Sequence, residues 1–347
     1  MNPPAITIPP VPSQIYLHHT TLRPRPKLIA IGDSITEQGS AHANGWVTSL
    51  SIRYSRRLDV LNRGLNGYNT RWGKECLPLI LGEILGPSAS SVGDRSAYIT
   101  DVQSKIISQN HRDEASSCAN DHCSDKDQQQ QISTELPPYS QYTFLIAFGA
   151  NDSCLPDGTC SRNHVPLHEY SSNLKDMIQM IQSWTLPLSP NSVSVALLTP
   201  PPCNTQVVST SRHNENVTKL YAEECIQVGE DMNVPVVDLW NGMQIPIDKD
   251  GQGSVDDLTK YGDTWKHEYL SDGLHLTPLG NYKMFQLVVQ MLERPIHSSQ
   301  LECNNNIAGN SEYPSGLGLS VTQLPRHYPD HSMVDAENPR NTFRNTD

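Results

Sequence analysis

Long apolar runs are missing from this chain. Hydrophobic residues make up only 36% of its 347 positions, with four phenylalanines, and no stretch reaches the length that spans a bilayer. Stable membrane insertion is therefore not expected. Positive charge is scarce as well: 25 Lys and Arg stand against 37 Asp and Glu, a formal net charge of −12. Nucleic acids and anionic membranes recruit clustered Lys and Arg, so neither is an expected partner. Eight cysteines are scattered without pattern. Cys118/Cys123 and Cys154/Cys160 lie close in number, yet neither pair is a CxxC and neither has histidines at zinc-finger spacing. Free thiols in a reducing compartment are the expectation, and a redox clasp at Cys154 and Cys160 has no further support in the sequence. The N-terminal residues Met1–Ala5 show neither a basic region nor an apolar one, which points to a cytoplasmic location. No Gly-x-Ser-x-Gly elbow, His-Glu-x-x-His, P-loop or dinucleotide glycine pattern occurs.

Proline is what the chain has in excess, at 26 residues. Seven of them fall in residues 1–26, which read as an extended leader without helical period. Residues 86–138 are rich in Ser, Asp, Asn and Gln, with a Gln128–Gln131 run and eight acidic against four basic side chains. A structureless loop of that length inside a compact domain reads as a disordered insertion or a lid, and the composition favours disorder. Residues 296–347 are polar, lack lysine, and read as a disordered tail. The folded unit is thus expected over residues 27–295, interrupted at 86–138.

Inside that unit apolar runs alternate with helical spacing. Strands are expected from Lys27 to Ile31 and at Val60–Leu61, Tyr142–Phe148, Val193–Leu198 and Val234–Leu239. Helices are expected over 45–57, 70–85, 166–184, 214–232 and from Pro278 to about Leu292, the last with Thr277 as its N-cap. The sequon Asn216-Val217-Thr218 falls within a helix and is discounted. The alternation predicts an α/β fold: a five-stranded parallel sheet in a three-layer αβα sandwich, flavodoxin-like, in the order 2-1-3-4-5.

In such a sheet, chemistry gathers at the carboxyl ends of the strands. Leu28–Ile31 runs straight into Gly32-Asp33-Ser34, so Ser34 sits just beyond the first strand. An Asp-Ser after a strand is also an ordinary turn or helix cap. Ser271-Asp272-Gly273-Leu274-His275 precedes the last helix, and its Asp-Gly turn can fold the Asp272 carboxylate back onto His275 Nδ1, leaving Nε2 free to face a serine. Asn151, in Gly149-Ala150-Asn151-Asp152, and the glycine-bearing segment Asn62–Thr70 are candidate donors to a developing oxyanion. Taken singly, each of these is also a turn sequence; together they fall at strand ends around one crevice. His164 and His168 read as solvent-exposed loop residues, and Pro200–Pro202 as a stiff crevice wall with a cis bond.

Gly32-Asp33-Ser34, the Gly67 segment, Gly149–Asp152 and Asp272–His275 resemble, in order, the four blocks of the SGNH (GDSL) hydrolase family. Asn62-Arg63-Gly64, Gly67–Trp72, His164–Leu167, Thr199–Pro202, Pro235–Trp240 and Asp272–Pro278 are similar, more specifically, to its isoamyl acetate-hydrolysing esterase branch. The resemblance implies Ser34 as nucleophile, His275 as general base and acid, and Asp272 as the orienting acid. It implies an oxyanion hole of the Ser34 N–H, the Gly67 N–H and the Asn151 side chain. It further implies no cofactor, no metal and a small ester substrate, with short-chain carboxylic esters the expected class. A carbohydrate O-acetyl deacetylase or an acyltransferase on the same scaffold stays open. So do a non-catalytic interaction protein and a homo-oligomer.

Overall fold

A computed structural model of the chain describes residues 25–41, 44–86, 141–185, 193–245, 263–294 and 317. The proline-rich leader, the polar insertion and the polar tail expected from the sequence lie outside these residues, apart from positions 25–26, 86 and 317.

The sheet is built around β1 (Lys27–Gly32), whose Leu28–Ile31 are at most 1% exposed. Leu28 and Ala30 face one hydrophobic core, Ile29 and Ile31 a second, and this two-sided burial explains the unbroken apolar run. β2 (Asp59–Gly64) and β3 (Tyr142–Ala147) pair with β1 in parallel on either side; β4 (Val193–Leu198) and the two-residue β5 (Val236–Val237) follow. The order is β2-β1-β3-β4-β5, the 2-1-3-4-5 arrangement expected from the sequence.

Helices cover both faces. α1 (Ser34–Gln38) and α2 (Trp46–Arg53) leave β1; α3 (Thr70–Leu85) follows β2; α4 (Leu167–Thr185) and α5 (Glu215–Met232) follow β3 and β4. Two short helices, α6 (Leu239–Gly242) and α7 (Trp265–Glu268), precede α8 (Pro278–Glu293). α3, α4 and α5 supply the second core through Leu77, Leu81, Leu174, Met177, Ile178, Tyr221 and Val228. α2 and α8 supply the first through Trp46, Leu50, Met284, Val288 and Leu292, and Leu317 joins it, its N–H donating to the Met291 carbonyl at 3.3 Å. α8 begins as the sequence predicts, with the Thr277 hydroxyl accepting from Gly280 N and Pro278 at the first turn. Among the described residues no helix is long and apolar enough to cross a membrane.

Two strands differ from the expected lengths by more than one residue. β2 extends through Asn62-Arg63-Gly64 because it pairs with β1 as far as Gly32, and as an edge strand it tolerates polar residues. β5 is cut to two residues because the Asp238 carboxylate accepts from Asn241 N and starts α6 at once. The cis bond expected within Pro200–Pro202 is corrected: no cis peptide occurs among the described residues.

One contact fixes where α1 lies. A Cβ built on Gly64 would stand 2.1 Å from Glu37 N and 2.6 Å from Thr36 C, so backbone of α1 rests directly on β2. Gly64→Ala is expected to cost about 1–3 kcal/mol through this overlap. Urea denaturation of the full chain checks it, and an unchanged midpoint would remove the contact as a determinant of α1.

Candidate active site

Ser34 is the first residue of α1, where a helix leaves its leading N–H groups without intrahelical partners. Asp33, just before it, caps the helix by accepting from Ile35 N at 2.9 Å. The serine is buried, and its Oγ lies 2.9 Å from His275 Nε2.

The histidine is held by its own loop. Its Nδ1 lies 2.7 Å from Asp272 Oδ2, while Asp272 Oδ1 accepts from the N–H groups of Leu274 (3.0 Å) and His275 (2.8 Å). A carboxylate only accepts, so Nδ1 carries a proton toward Asp272, and in a neutral ring this leaves the Nε2 lone pair facing the serine hydroxyl. Ser271 closes the loop, donating to the His275 carbonyl from both N (2.8 Å) and Oγ (3.0 Å). Gly273 has φ +86°, and a Cβ there would stand 2.6 Å from Val208 N; its carbonyl accepts from Asn204 N at 2.8 Å. The segment after β4 thus clamps the turn that carries Asp272 and His275.

Gly67 and Asn151 come to the same end of the sheet. Gly32 pairs with Gly64 on one side and Ala147 on the other, so the chain leaves β2, β1 and β3 side by side. Leu65 N donates to the Gly32 carbonyl (2.8 Å) and Asn66 N to Glu37 Oε2 (2.7 Å), which ties the loop before Gly67 to α1. Gly67 has φ +76°, and its α-carbon faces open space. Asn151 is buried and donates from Nδ2 to the Tyr68 carbonyl at 2.9 Å. An amide nitrogen carries two protons, and Tyr68 takes one. The sequence-expected residues therefore fall into two linked groups, Ser34–His275–Asp272 in one hydrogen-bonded chain and Gly67 with Asn151 across a single loop. Chemically, the first group can deprotonate a hydroxyl and the second carries donors for a negative oxygen.

Two carboxyls near these groups are unusual. Asp33 and Asp152 are fully buried, and desolvation pushes each up to about 7; the charge on Asp152 adds to the rise at Asp33. Asp152 Oδ1 accepts from Thr70 N (2.9 Å) and from the Thr70 hydroxyl, while its Oδ2 is buried without a partner. Asp272 moves the other way. Burial alone would raise it, but hydrogen bonds from the His275 ring and from the His275 and Leu274 N–H groups together hold it below the usual carboxylate value.

Among the remaining candidates, His168 is exposed as expected, whereas His164 is half-buried with Nδ1 2.7 Å from the Cys154 carbonyl. Cys154 and Cys160 are both free thiols, and burial pushes Cys154 up to about 12. Among the described residues no group of three or more His, Cys, Asp or Glu side chains could hold a metal ion. Sequence reasoning missed Glu37, Asn163 and Asn204. Asn163 Nδ2 donates to the Gly67 carbonyl at 2.8 Å, yet it is a single polar residue in a 3₁₀ turn (Ser161–Asn163), with no spacing signal to mark it.

The family model for GDSL-like lipase/acylhydrolases matches residues 28–288 of this chain. An isoamyl acetate-hydrolyzing esterase 1 homolog from Rattus norvegicus is 34% identical over 282 residues, covering 79% of this chain and 84% of the relative. The Homo sapiens protein of the same name is 33% identical over 285 residues, covering 80% and 85%. A GDSL esterase/lipase from Arabidopsis thaliana is 28% identical over 332 residues, covering 92% of this chain and 98% of the relative.

The raised carboxyls carry a pH signature. A carboxyl with a folded pKa above its unfolded value adds stability that is fully present below about pH 4 and is lost as pH climbs to about 7. Asp33→Asn keeps a capping side chain but removes that titration. Thermal melts should show the variant gaining on the native chain from pH 4 to pH 7 and the gap levelling above. A gap independent of pH would mean that Asp33 keeps its ordinary carboxylate pKa in the folded chain.

Proposed function

The chain belongs to the GDSL-like lipase/acylhydrolase family, a family of carboxylic ester hydrolases, and on that premise we propose that it hydrolyses short-chain esters, acetate esters first, through an acyl-enzyme on Ser34. The observation that carries this reading is the uninterrupted chain from Ser34 Oγ through His275 to the Asp272 carboxylate, at 2.9 and 2.7 Å. The acetate preference draws on the names of the relatives that are 33–34% identical.

In the proposed reaction His275 Nε2 takes the Ser34 proton as Oγ attacks the ester carbonyl carbon. The carbonyl π electrons move to oxygen, and that oxyanion meets the Ser34 N–H, the Gly67 N–H and the second Nδ2 proton of Asn151. Collapse breaks the carbon–oxygen bond of the alcohol, which leaves with the proton held on Nε2. Water then enters, gives a proton to the same nitrogen and attacks the acyl carbon; the acid departs and Ser34 recovers its proton. Asp272 holds the ring in one tautomer and offsets its transient positive charge.

Ser34→Ala should abolish turnover of p-nitrophenyl acetate while leaving the melting temperature in place, and retained turnover would reject the nucleophile. Asn151→Ala should lower kcat by about 10²–10³, the usual loss for one side-chain oxyanion donor. With 57% of the Asp272 side chain exposed to solvent and the loop backbone fixing the ring, Asp272→Asn should cost less than the ~10⁴ seen for a buried triad aspartate. A panel of acetate, butyrate and octanoate esters, with isoamyl acetate and an acetylated sugar beside them, tests the substrate class. Acetate esters of simple alcohols should lead; a preference for the sugar or for octanoate would overturn the short-chain assignment.

A further inference from the structure

We infer that Asn163 is a positioning residue that aims the Asn151 amide at the substrate's oxyanion, an inference that rests on the oxyanion role just proposed for Asn151 and Gly67. An asparagine side chain is nearly symmetric in shape, and only its partners decide which end is oxygen and which is nitrogen. Asn151 has two such partners. Its Nδ2 donates to the Tyr68 carbonyl at 2.9 Å, and its Oδ1 accepts from Asn163 Nδ2 at 3.5 Å. Turning the amide over would set Oδ1 against the Tyr68 carbonyl and Nδ2 against the amino group of Asn163, two repulsions in place of two hydrogen bonds. Asn163 therefore keeps the N–H₂ end of Asn151 on the side of Tyr68.

The same nitrogen of Asn163 donates to the Gly67 carbonyl at 2.8 Å. A ring of contacts closes: Gly67 to Asn163, Asn163 to Asn151, Asn151 to Tyr68, and Tyr68 back to Gly67 through the peptide bond. Both residues proposed as oxyanion donors outside α1 belong to it. Asn163 is itself fixed in place. Its carbonyl accepts from Asn69 Nδ2 at 2.9 Å, its N–H donates to the Cys160 carbonyl at 2.9 Å, and Val165 N donates to the Asp152 carbonyl at 3.1 Å, which folds the loop back over Asn151. Arg162, the residue before it, stacks on the Trp72 ring of α3 at 5.4 Å. Asn163 touches the donors and not the reacting atoms, so its effect is felt only through them.

A double-mutant cycle in the full chain, with p-nitrophenyl acetate as substrate, separates this role from general support. Asn163→Ala should lower kcat by about 10–30-fold, a fraction of the loss from deleting the donor itself, with KM within about twofold. In the Asn151→Ala background the same change should cost under about threefold, because the group it aims is gone. Asn163→Asp keeps the size but turns oxygen toward two oxygens, and should lose at least as much as alanine. The inference is overturned by equal losses in both backgrounds, by an aspartate variant with native kcat, by a rise in KM with kcat untouched, or by a loss that merely follows the melting temperature. An Asn151→Ala single variant with native kcat would instead strike the oxyanion assignment itself, and this inference with it.

Discussion

Three parallel strands ending level with one another are the constraint on which the rest of the molecule depends. Because Gly32 is flanked by Gly64 and Ala147, the chain leaves β1, β2 and β3 at one edge and delivers Ser34, Gly67 and Asn151 to the same end of the sheet. Parallel pairing achieves this only if both faces of the sheet are covered, and the two cores supply that cover. The missing side chain at Gly64 lets Thr36 and Glu37 of α1 lie against β2, and Glu37 Oε2 accepts from Asn66 N in the loop before Gly67. The geometry at the site is thus inherited from packing beneath it.

Above the sheet the site is assembled from polar groups that fix one another. Asp272 spends one oxygen on its own loop and the other on the imidazole, so the His275 ring is oriented by a local turn rather than by a distant, deeply buried acid. The segment after β4 presses on Gly273 and keeps that turn tight. On the other side, asparagine amides and backbone carbonyls close a ring around Gly67 and Asn151. Most of this network is neutral, which suits the oxyanion role proposed for it: fixed dipoles stabilise a transient negative oxygen without a standing charge. Burial acts in the same sense by raising Asp33 and Asp152 toward neutrality near pH 7, which lessens the negative charge beneath the crevice.

The sequence announces the parts whose cause is local. The apolar runs of β1, β3 and β4, the Thr-Pro start of α8 and the Asp-Gly turn before His275 are each set by a few consecutive residues, and the structure has them where the pattern puts them. What the pattern misses depends on partners far away in number. β2 runs past its apolar pair because β1 continues beside it, and β5 stops early because Asp238 prefers to begin a helix. Asn163 finds its partners 96 and 12 positions away, in irregular backbone where no period exists to read. Asp33 looks from sequence like an ordinary solvated cap, and only the cores packed around it turn it into a carboxyl with a raised pKa.

Everything proposed for the chemistry requires that one imidazole, 241 positions away along the chain, activates the hydroxyl at position 34. The most direct measurement is the rate at which a fluorophosphonate probe modifies the full chain, with the adduct mapped by mass spectrometry, in the native protein and in His275→Ala. The account predicts an adduct on Ser34 whose formation slows by about 10² or more when the imidazole is removed. An adduct on another residue, or an equal rate in the two proteins, would contradict it.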